Sequence, residues 1–147
     1  MLQLQADTKA FQQTSNEAEI SANLAESLYD VALKRYENGK YQDAASCFQL
    51  LILSHPEKAK YWFALAASQQ QLEQYRQAVL SYSVAARLEP VNPYTLMHMA
   101  ECFFSLRHIK EGVDVLQKAM LLAKNYPNSQ TLIIQIEALQ MAWKPEK

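Results

Sequence analysis

Glycine is nearly missing from this chain: Gly39 and Gly112 are the only two in 147 residues. Turn-rich β folds and loops that cradle phosphates draw heavily on glycine. A GxGxxG fingerprint, a P-loop and a nucleophile elbow are therefore excluded. Cysteine is as scarce. Cys47 and Cys102 both sit in apolar helical patterns, which reads as two buried thiols of a reducing compartment, not a disulfide. Charge of one sign is lacking too, with 14 Lys and Arg against 15 Asp and Glu and a formal net charge of −1. That balance argues against nonspecific nucleic-acid binding, which needs a basic excess. No apolar run approaches the roughly 18 residues of a membrane span. The start, MLQLQADTKAFQQ, has neither the basic region nor the apolar block of a signal peptide. A cytosolic protein is expected.

What is present favours helix. Half the residues are hydrophobic and a fifth are charged, which is the balance of a chain that can bury a core. Its Ala, Leu, Gln, Glu and Lys content points to an all-α fold of one domain.

The chain also repeats itself. LYDVALKRYENGKYQDAASCFQLLILSHP, YWFALAASQQQLEQYRQAVLSYSVAARLEP and LMHMAECFFSLRHIKEGVDVLQKAMLLAK align without gaps at a step of 34 residues. Ala32, Ala66 and Ala100 share one column; Ala44, Ala78 and Gly112 share another. Phe48, Tyr82 and Leu116 form a third, and Leu51, Ala85 and Ala119 a fourth; Pro56 and Pro90 close the first two units. The spacing resembles the tetratricopeptide repeat. Small residues let the two antiparallel helices of a hairpin approach, and the large residue four places on fills the space between hairpins. Proline stops the second helix. A single hairpin of this size cannot bury its apolar face alone, so the repeats must stack.

The expected architecture is three tandem hairpins in a right-handed superhelix, about 25–58, 59–92 and 93–126, closed by a capping helix over about 128–143. Residues 1–15 form a polar arm or short helix ahead of the repeat domain at 16–147. Asn16 with Glu19 reads as a capping box, Gly39 as the residue just past a helix end, and Asn92–Pro93 as N-cap and first helical residue.

Catalytic and metal chemistry is not predicted. His55, His98 and His108 have no metal-ligand spacing with one another or with the cysteines. His98 near Glu101 and Cys102 reads as a surface or groove histidine beside a core thiol. The acidic residues read as solvated helix charges. No cofactor and no metal are expected.

Binding is the remaining reading. In a repeat of this type the fourth, seventh and eighth positions of the first helix face the core. Here these are Leu28, Val31 and Ala32, then Trp62, Leu65 and Ala66, then Leu96, Met99 and Ala100. The second, fifth, ninth and twelfth face the concave surface. They are Glu26, Tyr29, Leu33 and Tyr36; Lys60, Phe63, Ala67 and Gln70; Tyr94, Met97, Glu101 and Phe104. The alternative is that these aromatics are simply core, with Tyr61 and Tyr94 as edge packing near helix starts. As an exposed surface, an apolar wall repeated by register suits an extended peptide whose side chains enter separate pockets. The ninth positions, Leu33, Ala67 and Glu101, lack the Asn and Lys or Arg clamp of repeat proteins that grip heat-shock carboxylate tails.

LYDVALKRYENGKYQDAASCFQLL, YWFALAASQQQLEQYRQAVLSYSVAARLEP and HMAECFFSL together resemble the class II chaperones of bacterial type III secretion, the SycD/LcrH/IpgC type. The match runs over roughly residues 24–124. The resemblance implies a cytosolic chaperone, without ATPase activity, that keeps two hydrophobic translocator proteins soluble and apart before export. It implies that an extended translocator segment lies in the groove, over Tyr29, Tyr36 and Phe63, with Tyr41 and Leu51 as neighbours. With the register residues, the candidate groove is Tyr29, Leu33, Tyr36, Tyr41, Phe63, Ala67, Tyr94 and Met97. Some members also assist a transcriptional regulator, and many form a homodimer through their N-terminal helices. No nucleic acid or membrane contact is implied. This chain departs from the family pattern in lacking a GGT-like segment in MLQLQADTKAFQQTSNEAEIS. It also has Gly112 in place of alanine, and Arg107 where a small turn residue is usual, so its third turn is expected to differ. A static tetratricopeptide scaffold, associating through a patch around Tyr82 and Val84, and a needle-subunit chaperone gripping an amphipathic helix are the alternative readings.

Overall fold

The computed structural model describes residues 22–144. Among these described residues seven helices follow one another: α1 over 22–37, α2 Tyr41–Ser54, α3 Ala59–Gln71, α4 Tyr75–Leu88, α5 Pro93–Ser105, α6 Ile109–Ala123 and α7 Gln130–Ala142. The described residues contain no strand. From α2 onward each helix packs on its successor, and α3 also touches α5. Helix α1 meets α2 through Tyr29 and Phe48 and α3 through Tyr29 and Tyr61, so the first helices of neighbouring hairpins lie side by side. The arm at 1–15 and the Asn16–Glu19 capping box fall outside the described residues.

The repeat columns account for the packing. Ala32, Ala66, Ala100, Ala44, Ala78 and Gly112 are all buried, as are Phe48, Tyr82, Leu116, Leu51, Ala85 and Ala119. A small side chain on each facing helix brings the backbones together, and the large side chain in the third column then occupies the gap between hairpins.

All three turns inside the hairpins use one device. Lys40 N–H reaches the Arg35 carbonyl at 2.8 Å while Gly39 N–H reaches Tyr36 at 3.0 Å. The next turn repeats this with Gln74 to Gln69 at 2.8 Å and Glu73 to Gln70 at 3.0 Å. The third has His108 to Phe103 at 2.9 Å and Arg107 to Phe104 at 3.0 Å. This paired pattern is the Schellman motif, and it needs a left-handed residue. Gly39, Glu73 and Arg107 supply it, at φ 78°, 60° and 64°. The expectation that Arg107 changes the third turn is therefore corrected: the hydrogen bonds that close the helix impose the same geometry on a non-glycine residue. Between hairpins, Asn92 caps α5 by accepting the Tyr94 N–H at 3.0 Å, with Pro93 in the first turn.

Two details of the core register are also corrected, while Leu28 and Leu96 pack against the core as the register places them. Val31 is 45% exposed, and Trp62 is only half-buried. Tyr61, not Trp62, is the fully buried ring at the start of α3. Trp62 sits at the edge, where its indole N–H finds the Pro56 carbonyl at 2.8 Å. At the edge that donor is matched, whereas the buried Tyr61 hydroxyl has no hydrogen-bond partner among the described residues.

The third hairpin is covered by the last helix. Met97 and Phe104 are buried, 4% and 2% exposed, in the same cluster as Leu132 and Ile136 of α7. The Phe104 ring stacks on Trp143, with centroids 5.0 Å apart and planes 3° from parallel. Its edge lies where a side chain at position 112 would be. A Cβ there would come within 2.6 Å of Phe104 Cδ1 and 3.0 Å of Cζ, with Cε1 closer still. Glycine replaces alanine in that column to admit the ring.

Candidate functional site

The first helices of the three hairpins form one wall, and a cleft of about 340 Å³ opens along it. From α1 it receives Tyr29, Leu33 and Tyr36, each one turn from the next and each half-buried. From α3 it receives Phe63, Ala64, Ala67, Gln70 and Gln71, and from α5 His98 and Glu101. Phe48 of α2 and Tyr82 of α4 make its floor. Most of this surface is aromatic or aliphatic, and it is open.

Aromatic contacts hold the wall in shape. Tyr29 lies between Phe48, at 6.0 Å, and Tyr61, at 5.4 Å. Phe63 stands edge-on to Tyr82 at 5.6 Å and to His98 at 5.8 Å, while His98 stacks on Tyr82 at 6.0 Å. Polar bonds join α4 to α3 beneath the cleft. Ser81 Oγ donates to Gln69 Oε1 and Tyr82 OH to Gln70 Oε1, both at 2.8 Å. Each is shielded enough to count toward rigidity.

Burial sets the electrostatics. It pushes the Tyr29 and Tyr36 phenols above their ordinary range, so both stay neutral donors at physiological pH. Tyr82 is raised further, again chiefly by burial. The Cys102 thiol behind the wall is pushed up to about 12, by burial first and by the Glu101 carboxylate second. Cys102 is inert as a nucleophile on these grounds. Both cysteines are free. Among the described residues no group of three or more His, Cys, Asp or Glu is placed to hold a metal. No described helix is long and apolar enough to cross a membrane.

A second cleft of about 350 Å³ shares Tyr29 and Phe63 with the first and continues past Lys60, Glu89, Asn92 and Tyr94. Lys60 bridges the hairpins here, 3.1 Å from Glu26 Oε1 and 4.6 Å over the Tyr29 ring.

The candidate residues thus divide. Tyr29, Leu33, Tyr36, Phe63 and Ala67 come together in the first cleft. Tyr94 lines the second. Tyr41 stands behind the wall, edge-on to Tyr36 at 5.2 Å. Leu51 lies in the core beneath it. Met97 is not on the wall, because the cluster it shares with α7 encloses it. The register pointed past Phe48, Tyr82 and His98. The first two arrive from the second helices, and the column Phe48–Tyr82–Leu116 was the signal, since its members face the gap between hairpins. Tyr82 is also no outer patch: it is buried beneath the cleft.

Against known proteins, the family model "Anaphase-promoting complex, cyclosome, subunit 3" matches residues 37–119. The low calcium response locus protein H of Yersinia pseudotuberculosis is 31% identical over 129 residues, 88% of this chain and 77% of that protein. The structure of the Yersinia enterocolitica type III secretion chaperone SycD in complex with a peptide of the translocator YopD superposes with a TM-score of 0.78 at 31% identity. It covers 81% of this chain and 91% of that one. PcrH in complex with the chaperone binding region of PopD gives 0.77 at 32% identity, covering 80% and 88%. With the stacked hairpins and their open apolar wall, these matches place the chain in the LcrH/SycD family of type III secretion translocator chaperones.

Proposed function

We propose that this protein is a secretion chaperone of the bacterial cytosol that holds an extended segment of a hydrophobic translocator protein in the cleft between α1, α3 and α5. The observation that carries this is the open aromatic wall itself: Tyr29, Leu33, Tyr36, Phe63 and Ala67 converge on one cleft without being sealed. Relatives of the same fold have been solved with translocator segments bound. Two or three apolar anchors buried there, at about 1.5–3 kcal/mol each, less association and ordering costs, give affinities on the micromolar scale. That suits a client held for later release. The role needs binding and shielding, and no turnover. Free thiols at Cys47 and Cys102 accord with a reducing compartment. Tyr94, in the adjoining cleft, extends the same track, and Tyr41 supports Tyr36 from behind. Leu24 and Val31 stand exposed on α1, an apolar edge for a homodimer through the N-terminal helices.

An amphipathic helix, the needle-subunit alternative, is about 10–12 Å across with its side chains. A cleft of about 340 Å³ takes side chains one at a time and favours the extended segment. The test is Phe63→Glu, which sets a charge on the wall. Coexpressed with a hydrophobic translocator, this variant should lose the client on purification while its far-ultraviolet circular dichroism stays unchanged. Undiminished copurification by a folded variant would remove the cleft from the proposal.

A further inference from the structure

The first cleft is not uniformly apolar. At the end formed by α5, Glu101 presents a carboxylate, and its side chain keeps about a third of its surface open. One oxygen, Oε1, accepts a hydrogen bond from His98 Nδ1 at 2.6 Å. The His98 ring is itself held by Tyr82 and Phe63, which fixes where that carboxylate points. Among the described residues no Lys or Arg lines the cleft. Among the described ion pairs Glu101 appears only with His98, and Lys60, the lysine on the adjoining cleft, is engaged by Glu26. A carboxylate among aromatic rings, without a permanent counter-ion, acts through a medium less polarisable than water. Its influence already reaches the neighbouring Cys102 thiol.

We propose that the cleft selects client segments carrying a lysine or arginine beside their apolar anchors, and that Glu101, oriented by His98, is the residue that reads the positive charge. This rests on the proposed role of the cleft as the client site and adds a chemical criterion to it. Apolar pockets alone discriminate poorly between oily sequences. One directed charge turns a general affinity for grease into a preference for particular segments.

Display of random twelve-residue peptides, selected against the wild type, Glu101→Gln, Glu101→Lys and Phe63→Glu, separates the two readings. The wild type should enrich apolar residues together with Lys or Arg at one fixed offset. Glu101→Gln should keep the apolar anchors and lose the charge preference; Glu101→Lys should enrich Asp or Glu at the same offset. For one selected peptide, replacing its basic residue with methionine should weaken binding to the wild type by about three- to tenfold, the range of a partly shielded ion pair. It should leave binding to Glu101→Gln unchanged. Identical charge preferences in the wild type and both Glu101 variants would overturn the assignment of Glu101 and leave the cleft as client site intact. Failure of the wild type to enrich apolar anchors, or enrichment by Phe63→Glu identical to the wild type's, would overturn both.

Discussion

Gly112→Ala adds a single methyl group to a helix and should nonetheless destabilise the protein. Helix propensity alone favours the change by about 1 kcal/mol. Against this stands the Phe104 ring, with one atom 2.6 Å and another 3.0 Å from the new Cβ. Contacts that short are not tolerated, so the ring must withdraw. It is buried, and it is held in a near-parallel stack with Trp143. Withdrawal disturbs the stack, worth up to about 0.5–1.5 kcal/mol, on top of an overpacking cost of about 1–3 kcal/mol. The helix gain offsets part of this, and the net loss should be about 1–3 kcal/mol. Urea unfolding followed by circular dichroism measures it. In a chain of this length each kcal/mol corresponds to roughly 2–4 °C in melting temperature. Pairing the change with Phe104→Leu supplies the control. The leucine variant alone should lose stability, and Gly112→Ala placed on that background should cost little or stabilise. A wild-type background in which Gly112→Ala raises stability would refute the close approach and with it the explanation for glycine in the third repeat.

Further outcomes follow from the same geometry. Ala78 is fully buried where α3 meets α4, so Ala78→Leu should cost about 1–3 kcal/mol in the same unfolding assay. Glu73 holds a left-handed conformation with no glycine. Glu73→Gly should relieve that strain and raise the melting temperature by about 1–3 °C, the gain being reduced by the greater freedom of glycine in the unfolded chain. Burial, with the Glu101 carboxylate second, pushes the Cys102 thiol from an ordinary value near 9 up to about 12. Between those values unfolding releases a proton, so the stability present below pH 9 should fall as pH rises, at up to about 1.4 kcal/mol per pH unit from this group. Titrating unfolding free energy from pH 8 to 11 in the wild type and in Cys102→Ala should show a shallower decline in the variant.

The hairpin order and its packing columns were legible because each rests on one local requirement repeated three times. A small residue where helices touch, such as Ala32, Ala66 or Ala100, leaves a mark that survives changes around it. The aromatic wall was legible in α1 and α3 for the same reason, since Tyr29, Tyr36 and Phe63 keep to a helical register. The third repeat broke the pattern. Whether Met97 and Phe104 face outward depends on α7, about forty residues further on, and a register drawn on one helix carries no information about what covers it. Tyr61 and Trp62 exchanged roles for a chemical reason. Tyr61 is enclosed by the core, while Trp62 stays at its edge, where the indole donor has the Pro56 carbonyl within reach. His98 could be placed near Glu101 from spacing alone, but its stacking on Tyr82 needs the two hairpins to be adjacent.

The two glutamines at the end of α3 bear on how the protein waits. An oily trough left to itself lowers its energy by slumping inward until its sides meet. Gln69 and Gln70 tie α4 to α3 through Ser81 and Tyr82, and such braces hold the floor of the cleft in place. The apolar wall stays open, an unfavourable exposure until another chain covers it. The relief of that tension is spent on the newcomer, with little left to be diverted into rearranging the host.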